Sequence, residues 1–260
     1  MKIIASGVSN KGLVREKNED NLFFFDQILD EDHEGTEEIL HFSDDTEEKP
    51  LLCGVFDGMG GYSKGEHASY IMGKMAADCA MFCRENPEEI PDLLEQLCFQ
   101  ANKAICQEME ETHEKMGTTT SILCFHLDDV VICNVGDTPI YRLCQDEFEP
   151  IFEEHSQKAI YEKMFGKEFV GNRKFPLTQC IGIPEKELRI RPYVYMEELM
   201  PGDRYLICSD GLTDMVSEER IQELIGSELT QEQVLTDLVE EACEAGGRDN
   251  ITILLIEVLP

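Results

Sequence analysis

Residues 51–62 read LLCGVFDGMGGY. The apolar run Leu51, Leu52, Cys53, Val55 and Phe56 predicts a buried strand that stops at Asp57 and runs into Gly58, Gly60 and Gly61. A carboxylate at the end of a buried strand, followed by glycines, can point into a site where backbone comes close to a ligand, because glycine removes the side chain that would keep a main-chain carbonyl away from an ion. An acidic turn after a core strand is equally ordinary, since Gly-rich turns are common. Other stretches of the chain repeat the design, and they shift the balance.

Upstream, IIASGVS (3–9) and LFFFD (22–26) predict strands flanking KGLVREKNEDN, which carries Arg15, Glu19 and Asp20. Residues 27–49 hold ten Asp and Glu residues and predict a solvated loop or long hairpin excursion, with EILHF as a short strand inside it. Downstream of Asp57, Ala68, Ile71, Met72, Met75, Ala76, Cys79 and Phe82 recur at helical spacing, predicting a helix over 65–84. Leu94, Leu97, Ala101, Ile105 and Met109 predict a second helix that begins near Pro87 or Pro91 and ends at about 111.

GTTTSILCF (117–125), DVVICNVGD (129–137) and TPIYRLC (138–144) predict an antiparallel meander, with Asp137 at a strand end. Residues 153–180 have weak periodicity and predict a partly helical surface excursion. RIRPYVYMEEL (189–199) and DRYLICSDG (203–211) predict strands around a Pro201-Gly202 turn, and the second ends in Asp210-Gly211. Helices are predicted over 217–226 and 230–245, and GGRDNITILLIEV (246–258) closes the chain with Asp249 just before a last buried strand. The pattern predicts one domain over 1–260: an α+β, four-layer αββα sandwich of two antiparallel sheets with a helix pair outside each.

At 260 residues and 42% hydrophobic, the chain can bury a full core. Its apolar stretches fall short of a membrane span and the first ten residues lack a signal-peptide core, so no membrane partner is expected. Eleven cysteines, an odd count without CxxC pairs, argue against a disulfide framework and predict a reduced, cytoplasmic protein. A net charge of −32 disfavours nucleic acid and anionic membrane as partners.

Five distant residues, Asp20, Asp57, Asp137, Asp210 and Asp249, thus share one placement at strand ends. Gathered together they repel, and hard divalent cations relieve that repulsion; oxygen ligands without His or Cys select Mg²⁺ or Mn²⁺ over Zn²⁺. Such a centre activates water and grips a phosphoryl group, and Arg15 adds a permanently charged donor suited to phosphate.

The ordered set REKNEDN, VFDGMGGY, GTTTS, NVGDTPIYRL, SDGLTD and GGRDNIT closely resembles the PP2C-type (PPM) serine/threonine protein phosphatases, the bacterial members most of all, over essentially the whole chain. The resemblance implies two Mn²⁺ or Mg²⁺ ions bridged by Asp57, with Asp210 and Asp249 completing the first. It implies that the Gly58 carbonyl and Glu19 serve the second, and that Asp20 holds waters of the ions. Asp137 with Asp210 would form a third-ion site, Arg15 would clamp the phosphate, and 153–180 would be the flap. Two positions depart from the pattern. Met59 stands where eukaryotic members have a His that protonates the leaving group, and Tyr62 stands where many bacterial members have a His, which makes it a candidate substrate contact. The insert at 27–49 has no implied role.

The expected function is metal-dependent hydrolysis of phosphoserine and phosphothreonine on proteins, by direct attack of a metal-bridging hydroxide. The substrates expected are products of a serine/threonine kinase, and a monomer is expected. A non-catalytic phosphoprotein-binding scaffold is the alternative, although no metal-ligand Asp is missing. A metal-dependent nuclease would need a basic groove that a −32 chain does not offer.

Overall fold

Two six-stranded antiparallel sheets face each other, and the strands that build them come from both halves of the chain. The structure, a computed structural model, describes residues 1–59, 64–145, 147–166 and 175–260. The first sheet has the order β4-β1-β12-β11-β8-β9, from β1 (Lys2–Asn10), β4 (Leu40–Asp45), β8 (Ile140–Cys144), β9 (Glu147–Pro150), β11 (Arg204–Cys208) and β12 (Ile251–Leu259). The second has the order β10-β7-β6-β5-β2-β3, from β2 (Asn21–Phe24), β3 (Gln27–Ile28), β5 (Leu51–Phe56), β6 (Thr120–His126), β7 (Asp129–Val135) and β10 (Tyr193–Glu198).

Side-chain alternation divides each central strand between two cores. From β5, Leu51, Cys53 and Val55 enter the layer between the sheets, while Leu52 and Phe56 face helices. Both faces are covered, which is why these strands read as unbroken apolar runs rather than as alternating ones. Helices α1 (Gly65–Glu85) and α2 (Ile90–Thr112) cover the second sheet through Ala68, Met72, Leu94 and Ile105. On the first sheet lie a short α4 (Asp210–Thr213), α5 (Glu218–Ile225) and α6 (Gln231–Glu244), packed through Leu212, Ile221, Leu235 and Leu238. Between α2 and α4 in sequence comes α3 (Gln157–Phe165), which buries none of its residues. The αββα sandwich expected from the sequence is therefore the fold, with α4 as an addition.

One expectation is corrected. The segments 117–144 do not form a three-strand meander: β6 pairs with β7, but β8 pairs with β11 and β9 in the opposite sheet. The chain changes sheets across Gly136–Pro139, where Gly136 takes a positive φ and Pro139 offers no N–H to extend a ladder. That crossing is what leaves Asp137 at the rim between the sheets. The short strand expected within the acidic insert does form. It is β4, which closes the first sheet beside β1, and Phe42 stacks on Phe25 at 3.7 Å between ring centroids.

All eleven cysteines are unpaired thiols. Among the described residues no helix is long and apolar enough to cross a membrane.

Phe125 of the second sheet meets Tyr205 of the first edge-to-face at 5.6 Å, joining the sheets through their common core. Phe125→Ala is expected to lower unfolding stability by about 3–5 kcal/mol in chemical denaturation.

Candidate active site

At the end of β5 the backbone is fastened on every side, which fixes where the Asp57 carboxylate projects. Asp57 N donates to Thr119 Oγ1 at 3.0 Å, and Asp57 O accepts from Thr119 N at 2.9 Å and from Thr118 Oγ1 at 3.0 Å. Gly58 N donates to Glu19 O at 3.1 Å. A Cβ on Gly58 would fall inside the radii of Glu19 O and Gly65 O, so only glycine lets the turn, the 11–20 loop and the start of α1 meet. Met59 N donates to Gly117 O at 2.9 Å, and the Met59 side chain lies against Gly117.

A second fastening joins the 11–20 loop to the start of β12. Asn250 Oδ1 accepts from Glu19 N at 2.8 Å, while Asn250 Nδ2 donates to Lys11 O at 2.9 Å and Lys17 O at 3.0 Å. This buried amide therefore closes the loop that carries Arg15 and Glu19 onto the residue after Asp249. Gly211, following Asp210, packs against the Asn250 carbonyl so closely that a side chain has no room. Beneath them Ser209 Oγ donates to Asp20 Oδ2 at 2.7 Å, and Thr252 N donates to Ser209 Oγ at 3.0 Å. Asn18 Nδ2 donates to Ser9 Oγ at 2.9 Å, and Ser9 and Thr252 share a hydroxyl hydrogen bond of 2.9 Å.

Asp137 is fixed by the sheet crossing. Thr138 Oγ1 lies 2.6 Å from Thr119 Oγ1, the hydroxyl that holds Asp57 N, so one pair of threonines ties both acidic turns together. Gly136 N donates to His155 Nδ1 at 3.1 Å and His155 N donates to Gly136 O at 2.9 Å. His155 is buried, and burial pushes its pKa below the ordinary imidazole value. From this anchor α3 projects outward with Met164 and Phe165 exposed. Tyr62 and residues 167–174 of the expected flap lie outside the described residues.

These fastenings gather Asp20, Asp57, Asp137, Asp210 and Asp249 into one electrostatic neighbourhood. Burial raises the Asp57 carboxyl well above the usual range, and the charges of Asp20, Asp210, Asp137 and Asp249 raise it further. Asp20 is pushed up to about 7, by burial first, against the hydrogen bonds from Ser209 and Thr252. Glu19 is raised by burial and by Glu66, with Arg15 opposing. Arg15 is the cation of the group: its Nη2 donates to Asp249 Oδ2 at 2.7 Å, its Nη1 stands 4.0 Å from Glu19 Oε2, and the Asp249 bond raises its own pKa.

The donor chemistry fits a hard divalent cation: five carboxylates and a main-chain turn at Gly58, all oxygen, sharing a repulsion that a cation removes. The carboxylates do not close into a ready-made shell, since among the described residues no three His, Cys, Asp or Glu side chains are arranged to hold an ion. Asp249 is instead turned onto Arg15.

Asn250, Ser209, Thr138 and His155 were not singled out from the sequence as parts of the site. Each acts through hydrogen bonds to residues distant in sequence, which leave no local pattern.

Residues 40–248 match the family model for protein phosphatase 2C. The serine/threonine phosphatase Stp of Listeria innocua is 30% identical over 257 residues, covering 96% of this chain and 93% of that protein. Phosphatase PstP of Mycobacterium tuberculosis is 29% identical over 96% of this chain, which spans 44% of that longer protein. Among solved structures, the catalytic domain of PstP in complex with two manganese ions superposes with a TM-score of 0.79 at 25% identity, covering all of both chains. Stp1 from Staphylococcus aureus gives 0.80 at 25% identity, over 98% of this chain and 95% of that one. The chain belongs to the protein phosphatase 2C family of serine/threonine phosphatases.

Asn250→Ala removes three partly buried hydrogen bonds at once and leaves Glu19 N, Lys11 O and Lys17 O without that partner. It is expected to cost about 2–4 kcal/mol in chemical denaturation. Hydrogen exchange should show the 11–19 amides opening before the strands.

Proposed function

We propose that this chain hydrolyses phosphoserine and phosphothreonine esters of proteins at the acidic centre around Asp57, as a single catalytic unit over 1–260. The observation that carries the reading is the gathering of Asp20, Asp57, Asp137, Asp210 and Asp249 beside one guanidinium, that of Arg15. Asp57, Asp210 and Asp249 would hold one divalent cation, the Gly58 carbonyl and Glu19 a second, and Asp137 with Asp210 a third. The two manganese ions of the PstP structure support Mn²⁺ or Mg²⁺ as the cofactor. Bound there, such cations supply Lewis acidity toward a phosphoryl oxygen and lower the pKa of water toward neutrality.

The chain's own residues do the rest. Arg15 has a planar fork of donors and stands at the rim, paired with Asp249. With Asp249 turned to a cation, the Arg15 fork would be free to bind two oxygens of the phosphate, a geometry lysine cannot match. Asp20, deep in its Ser209–Thr252 pocket, holds a fixed acceptor beneath the site. Met59 has no proton to give, so the leaving oxygen of a serine or threonine ester draws its proton from water of the cation centre or from another group. A phosphoprotein is then placed by α3, held beside Asp137 through His155, with Tyr62 as the further contact that the sequence suggests.

Loss of any carboxylate ligand would favour the scaffold alternative; Asp57, Asp210 and Asp249 are all present. The eleven unpaired thiols fit a reducing compartment, the cytoplasm, where a serine/threonine kinase would generate the substrates.

Hydrolysis of a phosphothreonine peptide by the full chain should require Mn²⁺ or Mg²⁺, cease with EDTA and return on adding the ion; turnover that persists in EDTA would refute the reading. Arg15→Ala should raise KM for the peptide about tenfold or more while leaving Mn²⁺ affinity no weaker. Met164→Ser with Phe165→Ser should impair the phosphopeptide far more than an aryl phosphate, which needs neither the rim nor much protonation. Equal losses on both substrates would place α3 in support of the centre itself.

A further inference from the structure

Glu66, the second residue of α1, is only 7% exposed, and a carboxylate that deep requires partners or remains costly. One oxygen has a partner: Oε1 forms an ion pair with Lys17 Nζ across the gap to the 11–19 loop. The other, Oε2, is shielded from bulk solvent and has no hydrogen-bond partner among the described residues. No role in the chemistry described above uses this residue.

Its surroundings show what the free oxygen is near. Ser69, one turn further along α1, donates Oγ to Glu19 O at 2.6 Å and to Glu66 O at 3.1 Å. Gly58 N donates to the same Glu19 carbonyl at 3.1 Å, and a Cβ on Gly58 would strike both that carbonyl and Gly65 O. The first turn of α1, the Asp57-Gly58 turn and Glu19 therefore touch through backbone, with no space for another side chain between them. One hydroxyl, Ser69 Oγ, thus reaches the carbonyls of both Glu19 and Glu66, which holds the start of α1 against the residue that carries the Glu19 carboxylate. Two acidic residues from separate elements are brought together here, and the lysine that pairs with Glu66 is itself largely solvent-exposed. Lys17 answers Oε1 alone, so the buried Oε2 calls for a donor of its own.

We infer that Glu66 is a positioning residue of the cation centre, its free Oε2 accepting a hydrogen bond from a water of the hydrated divalent cation held at Gly58 and Glu19. This rests on the cation site proposed above and adds a residue that sets the affinity of that one site without touching the ion. A hydrated divalent cation is the ligand chemistry that suits two carboxylates when only one of them reaches it directly, because cations such as Mg²⁺ keep several waters that need acceptors of their own.

The test is Mn²⁺ titration of the metal-free full chain by calorimetry, paired with thermal denaturation without metal, for wild type, Glu66→Ala, Glu66→Gln and Lys17→Met. Glu66→Ala should weaken one class of Mn²⁺ sites by about 10–100-fold and leave the other unchanged. Glu66→Gln keeps an acceptor oxygen and should recover part of that loss. Its metal-free Tm should not fall below wild type, since the repulsion with Glu19 is gone. Lys17→Met should bind Mn²⁺ at least as tightly as wild type. Unchanged affinity in Glu66→Ala overturns the inference. So does an equal loss in Lys17→Met, which would mean that Glu66 acts only by anchoring the 11–19 loop, or a lowered metal-free Tm in Glu66→Gln. Absence of Mn²⁺ binding by wild type would overturn the cation site itself and this inference with it, whereas intact binding by wild type with unchanged binding by Glu66→Ala defeats the inference alone.

Discussion

Like charges held close together in a poorly solvated place are the constraint around which this protein is built. Burial and four neighbouring carboxylates raise Asp57 far from its ordinary pKa, and Asp20 sits nearby at about 7. Such a cluster opposes folding, because each charge loses water and gains repulsion. It persists because the backbone beneath it leaves no freedom to spread. Thr118 and Thr119 hold Asp57, Asn250 holds Glu19, Ser209 holds Asp20, and His155 holds the turn before Asp137. Each support is a neutral hydrogen-bonding group, so the rigidity comes without added charge.

The two-sheet architecture provides the place for this. Strands from opposite sheets end at one rim, and the change of sheet at Gly136–Pro139 brings Asp137 to it from β7. The acidic insert supplies an edge strand to the first sheet and sets His33 Nε2 2.9 Å from the Asp20 carbonyl. Arg15 Nη2 donates to Asp249 Oδ2, so the guanidinium proposed for phosphate and a carboxylate proposed for a cation occupy one another.

Much of this was legible in the sequence where the signal is local. A carboxylate that ends an apolar run and is followed by glycine can be read at Asp57-Gly58 and Asp210-Gly211, and helical periodicity set α1 and α2 to within a few residues. The pairing of strands was less legible. The run 129–144 looks like a continuing meander because nothing in its composition says that β8 leaves the sheet, and the difference lies in which distant strand takes each edge. Asn250, Ser209, His155 and Glu66 escaped notice for the same reason. Each is an ordinary polar residue in sequence and acquires its meaning from a partner far along the chain, such as Glu19 for Asn250 or Asp20 for Ser209. The resemblance of the six motifs to a phosphatase family supplied the roles that local patterns could not.

If the acidic centre is retained for cation chemistry at the expense of stability, neutralising its middle should stabilise the protein that lacks the ion. The direct measurement is thermal denaturation of metal-free wild type and metal-free Asp57→Asn, each repeated with Mn²⁺. Asn keeps the shape of the side chain and removes its charge. The account predicts a higher metal-free Tm for Asp57→Asn than for wild type, and a rise with Mn²⁺ that is large in wild type and small in the variant. A lower metal-free Tm in Asp57→Asn, together with the same Mn²⁺ response as wild type, would contradict it.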